Sequence, residues 1–308
     1  MDLKTLTEIN APSGHEQAIR RVLLDELKKL GFAPVLDRMG NVVVVKEGTG
    51  DAPRKRVMVS AHMDEVGLIV TSATEDGYLR IAAAGGIDPR VLVSKRVTVG
   101  EDKLPGVIGA VPIHLQSAAE RKHVLSMDEL LVDIGAKNKD EAECKAPMGT
   151  YISFDTPYVE YGDGFACGKA FDDRVGCLSL LRLLQEELPV DLVACFVSEE
   201  EVGCRGAKGA AFQQEPDIGI VLEGTTCNDL GDVPETAHVC EAGQGVAVSF
   251  MDGASIANRT LFRKALNVAK QENIPHQVKH SVSGGNDGGA IQRAREGVPV
   301  VVVGVAGR

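Results

Sequence analysis

The chain has 308 residues, 44% apolar and 25% charged, enough for one large α/β domain or two domains around ample buried cores. Its net charge of −11, with no basic cluster beyond Arg54-Lys55-Arg56, argues against a nucleic-acid partner. No apolar run approaches the ~20 residues of a membrane helix, the N-terminus shows no signal-like apolar stretch, and seven cysteines without a CxxC pair read as reduced thiols, so a cytoplasmic protein with no membrane partner is expected.

In chain order, residues 15–30 place Ile19, Val22, Leu23, Leu27 and Leu30 at helical spacing, and Gly31 is a natural stop. The apolar run at 41–45 reads as a buried strand, and RVMVSA at 56–61 as a second that runs directly into His62-Met63-Asp64. Between 69 and 165 the texture changes to short alternating segments broken by Gly and Pro, which predicts a small β-rich barrel or sandwich, interrupted by a helix over 139–145. After 166 the α/β texture returns. Helices are expected over 173–188, 207–214, 255–273 and 288–295, and strands over 191–198, 217–222 and 298–305. The predicted organisation is a discontinuous α/β domain, 1–68 with 166–308, whose sheet carries helices on both faces, and an inserted β-barrel domain over 69–165.

Chemistry-bearing side chains gather where the apolar runs stop. In an open α/β sheet, ligands bind just beyond the carboxyl ends of the strands. His62 follows one run, Glu199-Glu200-Glu201 a second and Glu223 a third. A neutral imidazole with several carboxylates suits a hydrolytic metal centre, and Asp64 can orient the ring. Each feature has a plainer reading. His62 alone is compatible with a satisfied core histidine. Asp172-Asp173 before a helix is compatible with capping, and three consecutive glutamates with a solvated loop. The loop 283–289, SGGNDGG, can hold a substrate carboxylate or oxyanion on backbone N–H groups, but lacks the phosphate-loop pattern. The combination carries more weight than any member, because every group falls at the same end of one sheet.

The sequence resembles the glutamyl-aminopeptidase and tetrahedral-aminopeptidase family, some relatives of which carry a cellulase or endoglucanase label. The resemblance rests on APSGHE, AHMDEVG at 61–67, PGVIGAVPIHL at 105–115, DELLVDIGAKNKDEA at 128–142, GKAFDDRVG at 168–176, EEVGCRGA at 200–207 and GGNDGGAI at 284–291. It implies a phosphorylase/hydrolase-like metallopeptidase sheet and a di-metal aminopeptidase acting on peptides. By that resemblance His62, Asp172, Glu201 and Glu223 are metal ligands, with Asp172 bridging two divalent ions, zinc or cobalt with manganese tolerated. Asp64 orients His62, and Glu200 is the general base that deprotonates the attacking water. The resemblance leaves Glu199 without a role, and puts Glu223 where the family more usually has an aspartate. It also implies an inserted domain that serves assembly, with dimers building a dodecamer. The family pattern has a further histidine shortly after the last strand. The chain ends at Arg308 with no histidine there, so a truncated chain is expected. Two other functions fit parts of the pattern. A glycoside hydrolase could use paired carboxylates without metal, though 4% aromatic residues and no Trp fit a sugar cleft poorly. An inactive assembly protein would follow from the absent histidine.

Overall fold

The computed structural model describes all residues, Met1–Arg308. In chain order the elements are α1 (Leu3–Thr7), α2 (Gln17–Lys29), β1 (Val35–Leu36), β2 (Val42–Lys46), β3 (Arg56–His62), β4 (Gly67–Ala73), β5 (Leu79–Ala84), β6 (Arg96–Val99), β7 (Leu104–Gly109) and β8 (Leu131–Asp133). There follow α3 (Lys139–Lys145), β9 (Tyr151–Phe154), β10 (Val159–Tyr161), β11 (Phe165–Cys167), α4 (Phe171–Leu183), β12 (Asp191–Val197), α5 (Arg205–Gln214) and β13 (Ile218–Thr226). The chain closes with β14 (Val246–Ser249), α6 (Arg259–Gln271), β15 (His276–Val278), α7 (Asp287–Gln292) and β16 (Val300–Gly307). Two compact units result: one from Met1–Ile9, Glu16–Asp64 and Ala170–Arg308, the other from Asn10–His15 and Glu65–Lys169.

The first unit is built on an eight-stranded mixed sheet in the order β1-β2-β12-β3-β13-β16-β14-β15. Its centre is parallel: β12 pairs with β3, β3 with β13 and β13 with β16. Such strands are buried on both faces, which is why they read as unbroken apolar runs rather than alternating ones. In β12, Val193, Cys195 and Val197 pack with Ala207, Ala210 and Ala211 of α5 and Ile291 of α7. The intervening Leu192, Ala194 and Phe196 point the other way and are equally buried. The small side chains of α5 let it lie close to the sheet. Gly206 in it has no room for a side chain, since a Cβ there would stand 2.4 Å from the Ser198 carbonyl. β14 and β15, short segments with little periodicity, were not expected from the sequence.

The second unit is a closed antiparallel barrel of six strands, β4-β5-β8-β7-β6-β9. Alternation fills it: Leu68 and Val70, Leu79 and Ile81, and Val97 and Val99 all point into one buried cluster. Its entry segment is tied by Glu65, whose carboxylate accepts the Ala11 N–H at 2.8 Å and pairs with the Lys169 ammonium at 2.8 Å. The strand–helix order of the first unit and the closed barrel of the second match the α/β-plus-barrel class the sequence predicts.

Candidate metal centre

The parallel register assembles the site. Val197 of β12 stands opposite His62 of β3, so the turn that follows Val197, carrying Glu199-Glu200-Glu201, emerges beside the imidazole. β13 lies on the other side of β3 and brings Glu223. The sequence places Glu223 just past its strand. The structure places it within β13, because Glu223–Thr226 keep pairing with Gly304–Gly307 of β16.

Asp172 and Asp173 divide two tasks at the entry to α4. Neither has helical backbone angles. Asp173 is fully buried and does the structural work: its carboxylate accepts the Gly176 N–H at 3.0 Å and the His62 N–H at 3.2 Å. Gly176 is needed there, because a Cβ would lie 2.4 Å from that carboxylate. The capping expected of the pair therefore falls to Asp173, and Asp172 is left facing His62.

His62 is 1% exposed, and its Nε2 is 3.2 Å from Asp172 Oδ1 and 3.3 Å from Glu223 Oε1. On the other side of the ring, Nδ1 is 3.1 Å from the Asp64 carbonyl oxygen and 3.5 Å from its carboxylate. Asp64 does more than face the ring. Its two carboxylate oxygens accept the backbone N–H groups of Glu200 and Glu201, at 3.1 and 3.2 Å. One buried carboxylate thereby ties the glutamate turn to the histidine strand. Glu199, which had no expected role, forms a surface ion pair with Arg205 at 3.2 Å.

The electrostatics are those of a site with more carboxylates than cations. Burial opposes charge on His62, but Asp172, Asp64 and Glu223 outweigh it and hold the imidazole pKa well above its usual value. Burial likewise works against ionised Asp172, yet the hydrogen bond and charge of His62 hold this carboxyl far below the usual range. Burial, followed by the charge of Asp172, pushes Glu223 well up. Burial also raises Glu200, with Asp64 and Asp172 adding. Glu201 is pushed up to about 8 by burial and the charges of Asp172, Glu200 and Asp64, against the opposing pull of His62. Protons or added cations must balance such a cluster.

A divalent ion fits the donors present. One atom from each of His62, Asp172 and Glu223 lies within 4.8 Å of the other two, compatible with a shared ion at ~2.0–2.2 Å from each. The second oxygen of Glu223 is buried with no hydrogen-bond partner, a costly arrangement that a cation would relieve. Imidazole with carboxylates suits zinc, cobalt or manganese.

A second group lies at the same end of the sheet: Glu200, Cys204 and Asp287, their donor atoms also within 4.8 Å of one another. The Cys204 thiol donates to Glu200 Oε1 at 3.2 Å. Sequence reasoning passed over Cys204, counted only as a reduced thiol, and read Asp287 only as part of a loop for substrate anions. The loop turns inward instead: Asn286 caps Gly288 and donates to Asp252 at 2.8 Å, while Asp287 is 1% exposed. The available signal was an acidic residue between glycine pairs at a helix start, a pattern that capping explains equally well.

The sequence profile of the M42 glutamyl aminopeptidase family matches residues 40–308. The chain belongs to that family. It is 33% identical to the glutamyl aminopeptidase of Lactococcus lactis subsp. cremoris, over 99% of this chain and 87% of that one. It is 32% identical to the lysyl aminopeptidase of Pyrococcus furiosus, over 98% and 87% of the two chains. Among solved structures, the TET aminopeptidase of a marine sediment thaumarchaeon superposes with a TM-score of 0.93 at 32% identity, covering 99% of this chain and 87% of that one. An endoglucanase of Thermotoga maritima superposes with a TM-score of 0.80 at 31% identity, covering 99% and 88%. Membership in M42 makes the chain a metallopeptidase of the aminopeptidase type. No helix is long and apolar enough to cross a membrane.

Proposed function

We propose that this M42 member removes N-terminal residues from peptides with two divalent ions, zinc or cobalt, and with Glu200 as general base. The observation that carries the reading is the convergence of His62, Asp172 and Glu223 on one point beside the Glu200-Glu201 turn that Asp64 holds. His62 and Glu223 would hold one ion, Asp172 would be shared, and Glu201 would hold the other. The bound ions supply Lewis-acid polarisation of the scissile carbonyl and lower the pKa of water.

The chain's own residues supply the rest. Glu200, with its pKa raised by burial, takes a proton from the attacking water and returns it to the leaving amine. Asp64 fixes where that carboxylate starts, because it holds the backbone N–H of Glu200 itself. The excess of carboxylates favours the cationic amino terminus of a peptide over a blocked one. The aminopeptidase names of two relatives support this substrate class. A Pyrococcus horikoshii relative, named for its assembly into a tetrahedron or a large octahedral shell, supports a homo-oligomer, which we take to be dimers building a dodecamer. A cytoplasmic location, with no membrane or nucleic-acid partner, completes the reading; the net charge of −11 supports the lack of a nucleic-acid partner.

The test is metal content per chain by elemental analysis, paired with hydrolysis of aminoacyl-p-nitroanilides before and after chelation and after cobalt addition. Close to two ions, activity lost on chelation and regained with cobalt, and no activity on N-acetylated substrate are expected. Hydrolysis of a cellulose oligomer that survives chelation would instead support a metal-free glycosidase.

A further inference from the structure

We infer that Glu200, Cys204 and Asp287 form a separate binding site for a thiophilic divalent cation, Zn²⁺ or Cd²⁺, which withdraws Glu200 from catalysis when filled. The cation site stands on its own geometry. Only the consequence for catalysis rests on the proposed role of Glu200.

Three segments of one unit converge there. Glu200 follows β12, Cys204 immediately precedes α5, and Asp287 opens α7. The backbone N–H of Cys204 donates to the Glu200 carbonyl at 2.8 Å, a closed turn that stacks the thiol over the carboxylate. Asp287 comes from the facing side, since α5 and α7 pack against each other. A zinc ion bonds sulfur at ~2.3 Å and carboxylate oxygen at ~2.0–2.2 Å in a tetrahedral shell, so two of its donors stand about 3.6 Å apart. The observed donors lie within 4.8 Å of one another, so side-chain movements of up to about 1 Å close the site.

Asp287 is the independent sign of a missing ligand. It is 1% exposed, and neither carboxylate oxygen has a hydrogen-bond partner. A buried carboxylate is normally paired or bound to a metal, because removing its charge from water is otherwise strongly unfavourable. Nor can it swing away to find a partner. Its neighbour Asn286 is tied to Asp252 at 2.8 Å, and Gly289 lies so close to Ala254 that a Cβ would stand 2.7 Å from it. The carboxylate lies beside Glu200 and Cys204, and a cation between the three would supply the partner it lacks.

The sulfur sets the class of cation. The His62 centre has only nitrogen and oxygen donors, whereas a thiolate with two carboxylates selects zinc or cadmium over magnesium, calcium or manganese. Binding displaces the thiol proton to solvent and puts one oxygen of Glu200 on the cation. The bound positive charge lowers the basicity of the remaining Glu200 oxygen, which weakens it as the proposed proton acceptor.

The experiment uses the full chain loaded with its ordinary metal and titrated with Cd²⁺, read by the near-ultraviolet thiolate-to-cadmium charge-transfer band and by bound cadmium. Wild type is expected to take up one equivalent that carries the band. Cys204→Ser should lose that band and that equivalent, and Asp287→Asn should weaken the same equivalent by at least about tenfold. Cys227 and Cys240, buried with sulfurs 3.9 Å apart, are the competing thiolate site, so Cys227→Ser is measured in parallel. A band that survives Cys204→Ser, or disappears with Cys227→Ser, overturns the proposal. Peptide hydrolysis, expressed against each variant's own cadmium-free rate, should fall as the band grows in wild type and resist the same cadmium concentration in Cys204→Ser. Equal inhibition of both would refute the withdrawal of Glu200. A normal band in a protein that hydrolyses no peptide would uphold the cation site and count against the peptidase reading alone.

Discussion

Asp64→Asn isolates what the buried carboxylate does for the site. Asp64 is fully buried, and its two oxygens accept the N–H groups of Glu200 and Glu201 at 3.1 and 3.2 Å. An amide of the same shape offers one oxygen. One of the two N–H groups must then face an NH₂ and lose its partner, and the other keeps only a neutral acceptor. A hydrogen bond to a charged group contributes ~1.5–3 kcal/mol and a neutral one ~1 kcal/mol, so the gross loss is about 2–5 kcal/mol. Removing the charge also relieves repulsion, since Asp64 raises the pKa values of both Glu200 and Glu201. The net destabilisation is expected to be about 1–3 kcal/mol, read as a lower urea midpoint at constant slope in chelated protein. Loss of a carboxylate that orients metal-binding side chains typically costs about 10–100-fold in metal affinity, which a competition titration with a chromophoric chelator measures. Metal affinity within about threefold of wild type, with turnover intact, would refute the account of Asp64 as the tie between the histidine strand and the glutamate turn.

Four further outcomes follow from named contacts. Glu200→Gln should lower kcat by about 10²–10⁴ with metal content unchanged, while metal lost along with turnover would mean that Glu200 and Glu201 have exchanged roles. His62→Ala should deplete bound metal outright in elemental analysis, and a full complement in that variant would remove the histidine from the centre. Glu65→Gln removes the charge from the ion pair with Lys169 at 2.8 Å and should lower the melting temperature, whereas an unchanged melting temperature would show the pair to be dispensable. Glu129 is held down to about 2 by the Ser126 backbone N–H first and by His123 and the Ser126 hydroxyl. With a folded value below the unfolded 4.5, its contribution is present above pH 4.5 and is lost as pH falls through about 2, so Glu129→Gln should flatten that limb of the melting-temperature profile; an unchanged acid limb would contradict it.

Much of the fold was legible because its signals are local. The β-branched runs RVMVSA and DLVACFVS announce central parallel strands because both of their faces are buried. KDEAECK forms α3 over the expected residues, started by the Asn138 side chain, which accepts the Glu141 N–H at 2.9 Å. The change of texture read over 69–165 corresponds to strands whose alternate residues fill a barrel, although composition alone left a barrel and a sandwich equally open. The short strands β14 and β15 escaped notice because their pairing with β16 and with each other, rather than any periodicity, defines them.

The candidate site divides along the same line. The sequence by itself determined which chemistry is available: His62, a run of glutamates and Glu223, each at a point where an apolar run stops, and a pair of aspartates before a helix. It also determined the family, since the motifs lie in order along nearly the whole chain. Only the tertiary structure decided which of the paired groups faces which. It gives the capping to Asp173 and leaves Asp172 for His62, sends Glu199 outward to Arg205, and turns Asp287 inward towards Cys204 and Glu200. The physical reason is that adjacent carboxylates are chemically identical as sequence. What separates them is backbone direction, strand register and the hydrogen-bond donors that residues more than 50 positions away bring within 3.2 Å.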